Sequence, residues 1–336
     1  MAASSNMLLT RPIDAAAQML WFLPGVGEER VGYDHGLLTW LRERRHRRLK
    51  RPVHICLVSQ PVSHFARVTA FWLNERSKLC RATVNEGMAE ADILWFYAQD
   101  PLGEDRQRLF STLASIPCQW PRLVINSPAR YDGYHGSDFF TMLSAAGVNV
   151  PRSTFTDEDI GRTQVVYKFQ GLQDSPKRMA TYEGHVPGWR AFEFVDSRDE
   201  TDRFARYRAF YLLGIVRPAE VFFGKDWNVC LRTAEEIRYT FTLTEQEKEQ
   251  IGLIAKTAGL DFFAVDFTRR RPDGAPVFVD VNVNPAVASF PRRSRDRRHL
   301  GQWHTFDTCR RLGLPEPLGR SMWELFDDAI ATALRP

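Results

Sequence analysis

The stretch GLDFFAVDFTRRRPDGAPVFVDVNVNP, Gly259 to Pro285, decides how this chain reads. Two apolar segments, FFAVDF and PVFVDVNV, each carry an acid near their end and flank the turn RRRPDGAP. Alternating side chains of a strand point to opposite faces. Asp280, Asn282 and Asn284 are therefore expected on one face, with Val279, Val281 and Val283 on the other. A hairpin through the turn would set Asp266, expected to end its strand, beside that polar row. Several hard oxygen donors converging from neighbouring strands suit Mg²⁺, which binds through one or two carboxylates plus substrate phosphates. A plainer alternative stands beside it: acids often terminate hairpin strands, and Asn-Pro is an ordinary turn.

Outward from this stretch, the composition is that of a globular enzyme. The 336 residues are 44% hydrophobic and 26% charged, enough for two or three domains. A net charge of +4 does not by itself argue for nucleic acid, and the basic runs lack interleaved aromatics. Five scattered cysteines form no CxxC or Cys/His cluster with zinc spacing, so they read as reduced thiols of a cytoplasmic protein. No apolar run reaches the roughly 18 residues of a membrane span, and the N-terminus does not read as a signal peptide. Arginine greatly outnumbers lysine. The seven lysines make one inside an apolar segment, such as Lys168 in QVVYKFQ, a position to notice.

Along the chain, the first 51 residues are the least legible; Asp34 to Pro52 looks like a short helix ending in a basic run. From Val53 the pattern becomes regular. Strands at Val53 to Gln60, Ala91 to Ala98 and Arg122 to Ser127 alternate with helices at His64 to Leu79, Leu102 to Ile116 and Gly136 to Val148. That alternation argues for βαβ units and a mostly parallel sheet. Beyond Asn149 the strands come in turn-linked series, at Thr163 to Gln170, Trp189 to Val195 and Arg206 to Phe223. One helix, Leu243 to Gly259, opens with the capping box Thr244/Glu247 and closes on Gly259. This half reads as antiparallel α+β. An amphipathic helix is expected at Ser321 to Leu334.

These motifs, in this order, resemble the ATP-grasp superfamily, near its ribosomal-protein glutamate ligase, D-alanine–D-alanine ligase and glutathione synthetase-like group. There a strand carrying Asp is followed by a strand ending in Glu-x-Asn-x-x-Pro. Asp266 matches the first carboxylate, Asp280 stands where Glu is usual, and Asn282 and Pro285 match the rest. The resemblance spans roughly residues 52 to 290. It implies an α/β and α+β architecture: an N-terminal extension (1–51), a parallel α/β domain (52–150) and an ATP-grasp domain (151–336). Two α+β subdomains, a lid at about 160–195 and a larger one at about 196–336, would clamp ATP. It further implies Asp266, Asp280 and Asn282 as Mg²⁺ ligands and Arg208 as the catalytic arginine at the γ-phosphate, with Arg203 and Arg206 as competitors. Lys168 would bind nucleotide, with Lys177 as a further phosphate contact, and the main chain around Phe194, at Glu193 and Val195, would hold the purine.

The activity implied is Mg-ATP-dependent activation of a carboxylate as acyl phosphate and its joining to an amine. The acceptor is a small molecule or peptide, and no membrane or nucleic-acid partner is expected; a homodimer is common in such proteins. A kinase on the same fold, or a degenerate nucleotide- or polyanion-binding protein, are the alternatives. Two departures bear on them. The usual lysine after INSP is missing, with Arg130 or His135 as substitutes. The loop GLQDSPKRMATYEGH is poor in glycine, leaving Lys177 and Arg178 to reach phosphate. The run Arg292 to Arg298 reads either as a recognition site for an anionic substrate or as a solvated loop.

Overall fold

The computed structural model describes residues 52–59, 66, 69–70, 73–74, 77–98, 103–115, 123–130, 138–169, 176–230, 233–238, 241–285 and 322–335. The N-terminal extension, His135, the run Arg292 to Arg298 and the segment His304 to Cys309 lie outside these residues.

Four strands, β1 (Val53–Val58), β2 (Cys80–Val84), β3 (Ile93–Phe96) and β4 (Leu123–Ile125), form a parallel sheet in the order β2-β1-β3-β4. Their near-continuous apolar runs are what a sheet covered on both faces requires. One face, Ile55, Leu57, Ile93 and Trp95, packs on Phe210 and Phe262 of the antiparallel sheet below and on Phe326 of the last helix. The other, Cys56, Val58, Leu94 and Phe96, packs on Leu109 of α1 (Gly103–Ala114). The strand β2 was not expected: the helix reading of His64 to Leu79 ran straight up to it, and CRATV is short with a charge at its second position, Arg81. The helix α2 (Phe139–Ala145) leads from this layer toward the second half of the chain.

There, a five-stranded antiparallel sheet has the order β10-β9-β8-β11-β12. Its strands are β8 (Phe204–Leu212), β9 (Ile215–Gly224), β10 (Glu236–Arg238), β11 (Phe262–Arg269) and β12 (Pro276–Val283). Strands β8 and β9 meet in a two-residue turn at Leu213 and Gly214, with φ of 46° and 93°. That double left-handed turn matches the twist of a hairpin. One face of the sheet, Ala209, Phe263, Val265, Phe267 and Val281, is covered by Ile251, Ile254 and Ala255 of α3 (Glu245–Ala258). Helix α3 has both expected ends: the reciprocal Thr244/Glu247 capping box and a left-handed Gly259 at φ 66°. The last helix, α4, spans Met322–Ala333.

The third sheet is small and antiparallel, with order β6-β5-β7, from β5 (Gln164–Phe169), β6 (Lys177–Thr181) and β7 (Trp189–Glu193). Strand β6 corrects the sequence reading, which treated the segment after Lys168 as loop. Its alternation is masked by the polar sequence KRMAT, tolerable because β6 is an edge strand with half-exposed and exposed side chains. No described helix is long and apolar enough to cross a membrane.

Candidate nucleotide and metal site

Asp266 does not end its strand; β11 runs three residues further, to Arg269. Its position is fixed by register. Asp266 lies opposite Arg208 on one side and Asp280 on the other, and Arg208 lies opposite Glu220. Four adjacent strands thus place Glu220, Arg208, Asp266 and Asp280 in a single cross-strand row. Two β-bulges flank the row, where pairing shifts after Arg208 and after Asp266. In β12 the shift leaves Val279 as the extra residue, so Phe278 and Val281 both reach the α3 side while Asp280 and Asn282 turn to the other. Bulges commonly re-aim side chains beside functional sites in this way.

The buried end of the row is paired. Arg208 donates from Nε to Asp266 Oδ1 at 2.6 Å and from Nη2 to Oδ2 at 2.9 Å, a bidentate clasp. Its Nη1 is 3.8 Å from Glu220. Burial works against charge on both partners, but their mutual attraction outweighs it. The Asp266 carboxyl is therefore held below, and the Arg208 guanidinium above, the usual value. The open end is loosely partnered. Asp280 is met by Lys168 Nζ at 3.4 Å, both being about one-third exposed. The Asn282 amide nitrogen is buried with no hydrogen-bond partner.

Lys168 comes from the small sheet. There it lies directly opposite Lys177 on β6 and Arg190 on β7. Three cations in one cross-strand row oppose each other, a destabilising arrangement unless an anion lies among them. Half-buried Lys177 feels it: burial lowers its pKa, and Lys168 and Arg206 push the same way while Asp280 pulls back. Arg190 is tethered to Thr141 Oγ1 and Ser153 Oγ.

Between the two sheets opens a pocket that is continuous with solvent. Lys168, Lys177 and Arg206 line one part. Val166, Phe192, Phe194, Val195, Trp227 and Val279 make an apolar slot beside them. Two backbone N–H groups beside the slot are already committed to other carbonyls. Glu193 N–H donates to the Arg152 carbonyl and Phe194 N–H to the Gln164 carbonyl. An apolar slot with a few convergent polar groups is the usual form of a small-ligand site.

The structure brings together Lys168, Lys177, Arg208, Asp266, Asp280 and Asn282, and places Glu193, Phe194 and Val195 in the adjoining slot. It parts Asn284 from them. Strand β12 ends at Val283, and Asn284 adopts a left-handed φ of 46°, which turns it out of the alternating row. Its side chain is fully buried and saturated: Oδ1 accepts from Trp95 Nε1 and Asn126 Nδ2, and Nδ2 donates to the Phe96 and Ala98 carbonyls. Arg203, named beside Arg208, pairs with Glu236 and Asp199. Arg178 does not share the Lys177 face; it pairs with Glu183 and lies over the Tyr167 ring. Arg130 falls in a short 3-10 turn. Sequence reasoning missed Glu220, whose acid inside RPAEVFF gave the same signal as Asp266, and Arg190 and Trp227, which gave none.

No protein-family model and no curated protein matches the chain. Solved structures do. One is the ATP-grasp ligase PsnB complexed with a phosphomimetic variant of minimal precursor, Mg and ADP. It is 16% identical, with a TM-score of 0.50, over 83% of this chain and 98% of that one. Another is D-alanine–D-alanine ligase from Bacillus anthracis, 12% identical with a TM-score of 0.50, over 84% of this chain and 97% of that one. The chain has the ATP-grasp fold. Its parallel sheet, its small sheet and its large antiparallel sheet are the layers of that fold.

Among the described residues no group of three or more His, Cys, Asp and Glu gathers as a metal cluster. An ATP-grasp metal asks for less, because phosphate oxygens complete its shell. The donor set fits such an ion through its oxygens: Asp280 and Asp266 are opposite neighbours on adjacent strands, and Asn282, two residues on, carries one amide oxygen, while its orphaned amide nitrogen is a hydrogen-bond donor suited to a phosphate oxygen. Asp280 is met only at 3.4 Å by Lys168, whereas Asp266 is clasped by Arg208.

Proposed function

We propose that this protein is a Mg-ATP-dependent ligase that activates a carboxylate and joins it to an amine or a similar nucleophile. The observation that carries the reading is the pair of charge rows, on two different sheets, that meet beside the pocket at the Lys168–Asp280 contact. Lys177, Lys168 and Arg190 form the upper row, Asp266 and Asp280 the lower, and Lys168 touches Asp280 between them. An in-register row of cations is relieved by a polyanion, and an acidic pair beside it by a cation. A metal-bound triphosphate supplies both.

Adenine would occupy the slot of Val166, Phe192, Phe194 and Val279, its edge read by the Glu193 and Val195 main chain. Asp280 and Asn282, with Asp266, would hold magnesium. That ion supplies charge neutralisation on the phosphates. Lys168 and Lys177 orient the phosphates and keep their charge out of water. The substrate carboxylate attacks the γ-phosphorus; a new O–P bond forms, the bond to the β-phosphate oxygen breaks, and ADP leaves. The amine then attacks the acyl carbon, gives up a proton, and inorganic phosphate departs. Arg208 would neutralise charge developing at the transferred group.

For the substrates we favour peptides, in keeping with the precursor-bound complex of PsnB. An anionic acceptor, a cytoplasmic setting and a homodimer belong to the same reading. The test is to incubate the protein with MgATP, candidate peptides and amines, one carboxylate pool being ¹⁸O-labelled. Ligation by acyl phosphate predicts ADP and ¹⁸O in the released phosphate. A phosphoryl ester without ¹⁸O transfer would make the protein a kinase instead.

A further inference from the structure

The carboxylates of the candidate metal site already hold cations. Arg208 takes both oxygens of Asp266, at 2.6 and 2.9 Å, and Lys168 stands 3.4 Å from Asp280. The balance around them is cationic: Arg208, Arg206, Lys168 and Lys177 stand near Asp266 and Asp280, with Glu220 3.8 Å from Arg208 as the further acid. Removing Arg208 from a nearly fully buried carboxylate is costly, so a divalent ion arriving alone must compete with an optimal clasp and enter a positive field. A triphosphate changes both conditions. It offers Lys168 and Arg208 new anionic partners and reverses the sign of the field.

We infer that Arg208 and Lys168 are internal counter-ions that keep divalent metal off Asp266 and Asp280 until phosphate is present. Metal and nucleotide then load as one unit. This rests on the proposed nucleotide site but goes beyond it, because a site built from the same ligands without these contacts would take metal first.

The test uses Mn²⁺ alone as probe, followed by the paramagnetic signal of the free ion, on the wild type, Lys168→Gln and Arg208→Gln. A second titration follows the Mg²⁺ complex of a non-hydrolysable ATP analogue. Lys168 is exposed enough for its variant to fold even if Arg208→Gln, which strands a buried carboxylate, does not. The wild type is expected to take up the metal-nucleotide complex but no Mn²⁺ alone at millimolar metal. Lys168→Gln is expected to bind Mn²⁺ alone at least about tenfold more tightly than the wild type, from loss of one nearby charge. Wild-type protein that binds Mn²⁺ alone as tightly as Lys168→Gln overturns the inference and leaves the nucleotide reading standing. So does a Lys168→Gln variant that gains nothing while the metal-nucleotide complex still binds. A wild type that takes up neither probe overturns the nucleotide reading, and this inference with it.

Discussion

Two asparagines, two residues apart, have opposite surroundings. The Asn284 side chain makes four hydrogen bonds with described residues and is fully buried. Asn282 has a buried amide nitrogen with no partner. The first belongs to a polar knot that joins the sheets. Asn126 donates to Asn284 and to the Phe262 carbonyl, and accepts from the Asp261 and Phe262 amides, while Tyr97 donates to the Pro285 carbonyl. Strands β3 and β4 are thereby stapled to the start of β11 and the end of β12, the two strands that carry Asp266 and Asp280. A buried polar group that is satisfied builds structure; one left unsatisfied costs stability and persists where something else is to bind.

The contrast breaks first at the knot. Asn284→Ala removes four hydrogen bonds and leaves the Trp95 indole N–H and one Asn126 donor buried without that acceptor. It also puts alanine at a left-handed φ. Each stranded group costs about 1–3 kcal/mol, so a loss of roughly 3–5 kcal/mol is expected, read by urea unfolding. A loss under about 1 kcal/mol would mean that the knot is not what joins the sheets.

At the site the expectation inverts. Asp280→Asn, alone or with Asn282→Ala, touches a part-exposed pair and an unpartnered amide, so stability should move by less than about 1 kcal/mol. Magnesium-dependent affinity for ATP should fall at least about a hundredfold, as measured by calorimetry. A variant that unfolds like Asn284→Ala while binding normally would reverse the assignment of the two asparagines.

Lys177 sharpens the comparison at the smallest scale. Lys177→Met removes a half-buried charge opposite Lys168 and should stabilise the free protein, by up to about 0.5 kcal/mol, while weakening nucleotide binding. Its pKa is lowered from 10.5 by burial. Between the folded value and 10.5 the unfolded chain holds more protons at this residue, so the wild type gains stability as pH rises through that window. The advantage of Lys177→Met should therefore shrink toward pH 10.5. An advantage that stays constant or widens contradicts the buried-charge account.

Much of this was legible in the sequence because it rests on local pattern. The βαβ alternation, the Thr244/Glu247 cap and the acids inside apolar strands each declare themselves within a few residues. Asp266 and Asp280 proved to be opposite neighbours because a hairpin needs only a turn and two periods to be read. What escaped depends on tertiary register. The bulge at Val279 and the left-handed Asn284 break the two-residue period, so Asn284 left the row that spacing assigned to it. Strand β6 was hidden because an edge strand over a cleft has no buried face to write as alternating apolar residues. The cation row of Lys177, Lys168 and Arg190 joins three strands, and no local motif announces it.

The central claim is that the two charge rows hold a metal-bound triphosphate. The most direct measurement is calorimetric titration of ATP, with and without Mg²⁺, into the wild type and the stability-neutral Asp280→Asn, Asn282→Ala double variant. The account predicts magnesium-dependent binding in the wild type that is lost in the variant, with unchanged unfolding. No binding in the wild type, or equal binding with and without magnesium in both proteins, would contradict it.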